Sequence, residues 1–447
     1  SLVRSNRFNQ SHHIVWICNY SRKIKKYYQA ALIAVALLSL MSLLFYRHEY
    51  NRLRYVLEVL NIYGKPGTME TEPNCKDPIN QEKIDLLFNS PIPSWQRLND
   101  ELFAYSAHRI SKNEIRIVAF GKAYEKLDLN CNVFFEGKPP ALGTFKYSKI
   151  NRDLQYAGYQ LVCEYEGIAI PESVSFFNGE TGAANQAAIM NVKNSPDNLM
   201  TNELSLCVAP PMNRSISRTD MISFINFHQI IGVRHFIVYD NGIPSRFSQT
   251  VRDIIVSQNL NLTFTILPWN FPFTGVSKDI TKEIIELDCL YRSYNEVEYS
   301  TTLYWEEYLV LKYHHNLLGV IRDFEKSIVT AGRYLIHTSI FCTEQDDDKS
   351  SVTSAPIVFR KTNKLYSGSV KSQNVYISKP PNNLILGESV ITKLDVDSIN
   401  VNHYRYCSEP ANKSSTTPDK SILRLATDIF DTVLYKEYIT RQALSAN

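Results

Sequence analysis

From Tyr27 to Tyr46 the chain carries no charge, and the centre of that stretch reads AALIAVALLSLMSLLF. Its 20 residues at the helical rise extend about 30 Å, the thickness of a bilayer core. A buried core helix and a cleaved signal peptide are the other readings. A signal peptide, however, has a shorter apolar run and a small-residue cleavage site, whereas Phe45, Tyr46, Arg47 and His48 follow here. Arg22, Lys23, Lys25 and Lys26 precede the run, and Arg47 after it is accompanied by Glu49. The positive-inside rule therefore predicts a cytosolic tail at 1–26, a signal anchor at 27–46 and a type II single-pass layout. Residues 47–97, broken by Pro66, Pro73, Pro78, Pro91 and Pro93, read as a stem. Residues 98–202 read as a β-rich segment. Its strands are expected at Glu114–Phe120, Asn132–Gly137 and Tyr159–Gly167, and its end, 179–202, is rich in Asn, Gly and Ala and reads as a linker.

At Leu204 the pattern changes to strand–helix alternation. LSLCVAPP is a short buried strand. A helix is expected over Thr219–Ile231, with Met221, Ile222, Ile225, Phe227, Ile230 and Ile231 on its apolar face and Gly232 to end it. Strands follow at His235–Asn241, Leu262–Trp269 and Tyr299–Trp305, with helices over Arg246–Gln258 and Asp279–Tyr294 between them. This order predicts an α/β fold over 203–410, a mostly parallel sheet with helices on both faces. Ligands of such sheets bind at the carboxyl ends of the strands, so the loops after Pro210, Tyr239 and Tyr304 are where chemistry is expected. In the last segment, 411–447, Pro418 is placed to open a helix carrying Ile422, Leu425, Ile429 and Val433.

Composition narrows the classes. Hydrophobic residues at 44% and charged residues at 21% exclude global disorder. A net charge of +3 argues against a dedicated nucleic-acid binder. Seven cysteines follow the apolar span, at 75, 131, 163, 207, 289, 342 and 407, and an odd number leaves at least one unpaired or intermolecular. No CxxC or Cys/His spacing suggests structural zinc. N-x-S/T triplets at Asn213, Asn261 and Asn412 fall on the side expected to be lumenal.

Several segments, in order, resemble glycosyltransferase family 92. They are LFAYSAH (Leu102–His108), LCVAPP, FINFHQIIGVRHFIVYDN (Phe224–Asn241), the strand ending LPW, DCLYR (Asp288–Arg292), NVYISKP (Asn374–Pro380) and NHYR (Asn402–Arg405). The resemblance implies a type II Golgi membrane enzyme whose catalytic domain has the Rossmann-like GT-A fold. It implies a galactosyltransferase-like hexosyltransferase, using a UDP-sugar donor, typically UDP-galactose, and a divalent cation such as Mn²⁺. The implied acceptor is a glycan, the core fucose of N-glycans among those the family uses.

The family's D-x-D-E motif falls on YWEE here, Tyr304 to Glu307. Two Asp spaced by one residue aim carboxylates at a metal–diphosphate group. Here Tyr304 stands at the first position and Glu306 at the second, leaving Glu306 and His403 as the candidate metal ligands and Glu307 as the candidate catalytic base. Arg405 is a candidate diphosphate donor. Pro210, Asp240, Asn241 and Tyr304 are candidates for holding the nucleotide sugar, although Asp-Asn-Gly is also good turn chemistry. Arg214 follows Pro210 but sits inside the Asn213 triplet, so a glycan there would compete with a nucleotide role. Asp395-Val396-Asp397 is a literal D-x-D in an expected loop. Asp346–Asp348 reads as a solvated acidic run, His314 and His315 as structural or surface residues, and Trp269 and Trp305 as core. The altered motif motivates a rival reading, a catalytically impaired glycosyltransferase-like protein that binds glycans or serves as a scaffold. An adhesion ectodomain is a third, but such modules are mostly all-β.

Overall fold

The computed structural model describes residues 92–444, less 124–125, 153–154, 168, 179–187, 196–200, 212–215, 327–331, 350–354, 366–373, 381–390 and 408–415, together with 35, 37–39 and 41–42. The tail, nearly all of the anchor, the stem up to residue 91, Cys75, Arg214 and the triplets at Asn213 and Asn412 lie outside the described residues. Val35, Leu37, Leu38 and Met41 of the expected anchor are helical and exposed. Among the described residues no helix is long and apolar enough to cross a membrane. The chain divides into two compact units, Ser1–Asn80 and Gln81–Asn447, and among the described residues the strands all fall in the second.

The first eight strands are β1 (Gln96–Arg97), β2 (Leu102–Ser111), β3 (Glu114–Lys122), β4 (Leu129–Phe135), β5 (Lys138–Arg152), β6 (Tyr156–Glu164), β7 (Pro171–Asn178) and β8 (Ala188–Asn194). Their order is β1-β2-β3-β6-β5-β4-β7-β8, and β8 also pairs with β2, so seven strands close into a barrel, while β1 pairs with the first residues of β2 and β8 with the later ones. The segment read as a linker therefore contains β8, the closing strand. Its alternation is hidden in seven residues flanked by loop-like composition. On β3, Ile115, Ile117 and Ala119 face the barrel interior while Val118 and Phe120 pack outward against a second cluster. Burial on both faces explains why EIRIVAF reads as a nearly continuous apolar run. Cys131 and Cys163 form a disulfide inside the barrel core.

Gly121 pairs with Leu102 in the β2–β3 ladder, and a Cβ there would lie 2.2 Å from the Glu101 carbonyl oxygen and 2.8 Å from the Leu102 Cα. Backbone cannot step aside as a side-chain tip can. Gly121→Ala is expected to cost about 1–3 kcal/mol by overpacking, read as a lower denaturant midpoint at unchanged m-value. An unshifted midpoint would show that the ladder accommodates the methyl group.

The rest of the chain runs β9 (Thr201–Ala209), α1 (Arg218–Ile230), β10 (His235–Asp240), α2 (Ser245–Ser257), β11 (Thr263–Pro268), α3 (Lys278–Arg292), β12 (Val297–Tyr304), β13 (Glu307–Leu311) and α4 (Leu317–Glu325). Then come β14 (Arg333–Ile336), β15 (Thr338–Cys342), α5 (Ile357–Arg360), β16 (Asn363–Leu365), β17 (Val375–Ser378), β18 (Ile391–Lys393), β19 (Ile399–Arg405), β20 (Thr416–Pro418), α6 (Ala426–Asp431) and α7 (Val433–Leu444). The fold is mixed α/β, as expected. One sheet has the order β11-β10-β9-β12-β17-β14-β18 and another the order β13-β19-β15-β16-β20. β9 to β12 are mutually parallel where they pair, whereas β17 runs antiparallel to both its neighbours.

Local chemistry sets these boundaries. The Ser217 hydroxyl accepts from the Asp220 amide at 3.0 Å and caps α1. Gly232, with φ of +103°, turns the chain after that helix. On α2, Phe247, Val251 and Ile254 form the buried stripe. Pro418 does not open the last helix. It ends β20, and a 3-10 turn (Ser421–Leu425) precedes α6, where Ile429 is buried.

Helix α3 is buried from Ile284 to Arg292 because it lies between two β structures. Its Ile284, Ile285 and Leu287 join Val118 and Phe120 of the barrel and Tyr239 and Trp269 of the sheet in one cluster. Cys289 forms a disulfide with Cys207 on β9. Trp269 packs on Trp95 and Tyr105, and Trp305 on Phe224, so both read as core in the structure as well.

Candidate active site

The YWEE segment sits at a switch between sheets. Tyr304 ends β12, Trp305 and Glu306 form a turn, and Glu307 begins β13 in the other sheet. A single strand ending at Trp305 was expected, and the second strand starts two residues later. Antiparallel pairing puts Glu307 directly opposite His403 on β19. Arg405, two residues on, shares the His403 face of that strand. On the other side, Tyr304 is in register with Ala209 of β9, so Pro210 borders the turn. Thus Tyr304, Glu306, Glu307, His403 and Arg405 are brought together.

Glu307 is fully buried. Its Oε2 accepts from the Lys282 ammonium at 2.6 Å and from the Tyr304 backbone amide at 2.8 Å. Its Oε1 lies 3.8 Å from Nδ1 of His403. The Lys282 Nζ also sits 4.7 Å from the centre of the Tyr304 ring, a cation–π geometry. The Tyr304 hydroxyl donates to the Lys278 carbonyl at 2.8 Å. Burial, together with Glu307 and Asp279 nearby, pushes that phenol well above its ordinary range, so it stays neutral. Burial pulls His403 down to about 4 against the attraction of Glu307, with Lys282 and Arg405 pushing the same way as burial, so its imidazole is neutral at pH 7. Its Nε2 is buried without a hydrogen bond.

The nucleotide candidates lie along the same carboxyl edge. Asp240 ends β10, and its Oδ1 accepts from the amides of Gly242 at 2.8 Å and Ile243 at 2.6 Å, shaping the turn that exposes Asn241. Lys278 Nζ donates to the Pro211 carbonyl at 3.3 Å, tying the β9 loop to the start of α3. Strands β10 and β12 flank β9, which places Asp240 about 10 Å from the YWEE turn at ordinary strand spacing.

Two other acidic segments stand apart from this cluster. Asp395 accepts from the Asp397 amide at 3.1 Å and closes a tight turn, and Asp397 pairs with Lys312. Asp347 pairs with Arg360 and Lys361, and Asp348 bonds Thr362 and Lys420, so this run is tied down where a solvated loop was expected. His314 makes a half-exposed pair with Asp323.

Lys282 is the site residue that sequence reasoning missed. The available signal was a lysine three and seven residues before the core positions Ile285 and Cys289, on an apolar stripe where an unpaired charge is costly.

Glu307 Oε1 and His403 Nε2 are buried without a hydrogen bond, but the residues do not supply the full oxygen shell of a divalent cation. Such ions take about six oxygen ligands. Here the first acidic position is a neutral phenol, and one Glu307 oxygen is taken by an ammonium and an amide. Among the described residues the one set of three candidate ligand atoms within 4.8 Å of one another is Cys342, Glu344 and Cys407, whose two cysteines are joined in a disulfide. The arrangement can supply positive charge from Lys282 and Arg405, and a neutral imidazole from His403, at the carboxyl edge of a parallel sheet.

A family model described as Glycosyltransferase family 92 matches residues 202–433, just over half of the 447-residue chain. No curated protein matches the chain.

Proposed function

The chain belongs to glycosyltransferase family 92, and from that premise we propose that it is a galactosyltransferase of the secretory pathway with a GT-A catalytic domain, taking UDP-galactose as donor. Family membership implies a sugar donor and a glycan acceptor. The observation that carries the proposal is the polar cluster of Tyr304, Glu306, His403, Arg405 and Lys282 at the carboxyl end of β12. The sheet order β11-β10-β9-β12 supports a GT-A reading, because it is the doubly wound half-sheet whose carboxyl edge takes nucleotides. The three disulfides among the described residues support an oxidising compartment, in keeping with a Golgi type II layout.

In the proposed inverting displacement the acceptor hydroxyl oxygen attacks the anomeric carbon of galactose. The bond to the UDP oxygen breaks and UDP leaves with its electron pair, while a carboxylate takes the acceptor proton. Cationic side chains stabilise the charge that develops on UDP. Glu307 is held by Lys282 and the Tyr304 amide and braces the turn, whereas Glu306 is the other carboxylate of YWEE.

The test is UDP release from UDP-galactose over a panel of glycan acceptors, with UDP binding followed by calorimetry. UDP binding and acceptor-dependent release are expected. The buried Lys282–Glu307 pair and the Tyr304 phenol at the altered motif favour a second reading, a glycan-binding scaffold impaired in catalysis. UDP binding without turnover on any acceptor would move the conclusion to it.

A further inference from the structure

We propose that this chain holds its donor diphosphate without a divalent cation, the Lys282 ammonium standing where a carboxylate-bound metal would otherwise be. The inference rests on the transferase reading above. It starts from a disagreement between the family's acidic motif and the side chains that occupy its place.

A D-x-D motif works by presenting carboxylate oxygens to a metal that in turn binds phosphate oxygens. In this chain the positive charge is already covalently installed. Lys282 reaches from α3 to the Glu307 carboxylate at 2.6 Å and lies over the Tyr304 ring at 4.7 Å. Tyr304, at the position of the first Asp, contributes a π face to that ammonium instead of a ligand oxygen to a metal. Its hydroxyl is used to hold Lys278 at the start of the same helix. The substitution and the lysine thus form one arrangement: an aromatic ring on one side of the cation and a carboxylate on the other.

Two consequences follow. A metal ion held by Glu306 and His403 would sit close to the ammonium, because Nδ1 of His403 is 3.8 Å from the Glu307 carboxylate that holds Lys282, and like charges at such distances repel strongly where water is excluded. An ammonium has three donors, of which Glu307 takes one. Arg405, on the His403 face of β19, adds a second fixed positive charge on the strand that pairs with Glu307. Lysine and arginine together can offset the charge of a diphosphate without assembling the six-oxygen shell a divalent cation needs.

The experiment titrates UDP into the full 447-residue chain by calorimetry, first in EDTA and then in millimolar Mn²⁺. The two dissociation constants are expected to agree within about twofold. A tightening of tenfold or more in Mn²⁺, which is 1.4 kcal/mol or above, overturns the inference while leaving the transferase reading in place. No binding of UDP in either condition overturns that reading, and this inference with it. The paired variant Lys282→Met with Glu307→Gln removes both charges together, so no lone charge is left buried. It is expected to lose tenfold or more in UDP affinity in both conditions at an unchanged melting temperature. Unchanged affinity would remove Lys282 from the site. The wild-type comparison decides the cation question even where that variant fails to fold.

Discussion

Asp288→Ala is expected to destabilise the fold by about 3–5 kcal/mol, the cost of breaking a buried ion pair from one side. Asp288 is completely buried on α3. It accepts from Nε and Nη2 of Arg292, both at 3.1 Å, from His108 Nε2 at 3.0 Å, from the Ser106 hydroxyl and from the Tyr239 hydroxyl. Burial works against its charge, but Arg292 and His108 more than compensate and hold its carboxyl far below the usual range. Ser106 and His108 belong to the barrel, Tyr239 to the sheet and Arg292 to the helix between them. Removing the carboxylate strands the Arg292 guanidinium and leaves several buried donors unmatched at once. The measurement is the denaturant midpoint of the variant against the parent. A loss below about 1 kcal/mol would mean that water or a neighbouring group replaces the carboxylate, in contrast to the usual behaviour of such pairs. Asp288→Asn, which keeps the shape and one acceptor oxygen, should recover part of the loss but not the neutralisation of Arg292.

That network also shows what the sequence could and could not convey. The segments Leu102–His108 and Asp288–Arg292 stood out as motifs, yet nothing in either segment says that one holds the other. Ser106 and Asp288 are 182 positions apart, and only the folded chain brings them together. Strand–helix alternation after Leu204 was legible because parallel strands buried on both faces write themselves as short apolar runs. Strand β8 was not, since its alternation spans seven residues with three exposed positions. At the site, YWEE and NHYR were identifiable as chemistry, and the β13–β19 register places Glu307 across from His403. Lys282 was passed over because a lysine in an amphipathic helix ordinarily marks the solvated face, and its spacing to Ile285 and Cys289 was the one sign to the contrary. The literal D-x-D at Asp395 was read as a loop and is one: Asp with one residue between also makes a good Asx turn, and that is what it does here. The pairing of Cys207 with Cys289 likewise has no local signal.

Acidification from pH 7 to pH 5 is expected to cost about 5 kcal/mol of stability, well before any paired carboxylate is protonated. Three fully or nearly fully buried histidines carry this effect. Burial lowers His228 to about 3, and His108 and His403 each to about 4, from an ordinary value of 6.5. The unfolded chain therefore takes up protons at these positions while the folded chain does not. The stability they contribute is complete above about pH 6.5 and falls as the pH drops toward 3–4, each group giving a slope of about 1.4 kcal/mol per pH unit within its window. His228 shows why the folded state resists the proton. Its Nδ1 donates to the Phe224 carbonyl at 2.8 Å and its Nε2 accepts from the Leu309 amide at 3.3 Å. A second ring proton would break the bond to Leu309 and bury a charge with no partner beside α1 and β13. Asp288 acts in a different window. Its lowered value preserves stability until the pH falls below about 4, so the two effects separate on the pH axis. Denaturant midpoints at pH 7, 6 and 5 would show the slope, and His228→Gln should remove about a third of it while costing some stability at pH 7. A flat profile between pH 7 and 5 would mean that these imidazoles reach solvent in the folded chain, and the packing of α1 against β13 would have to be looser than the structure shows.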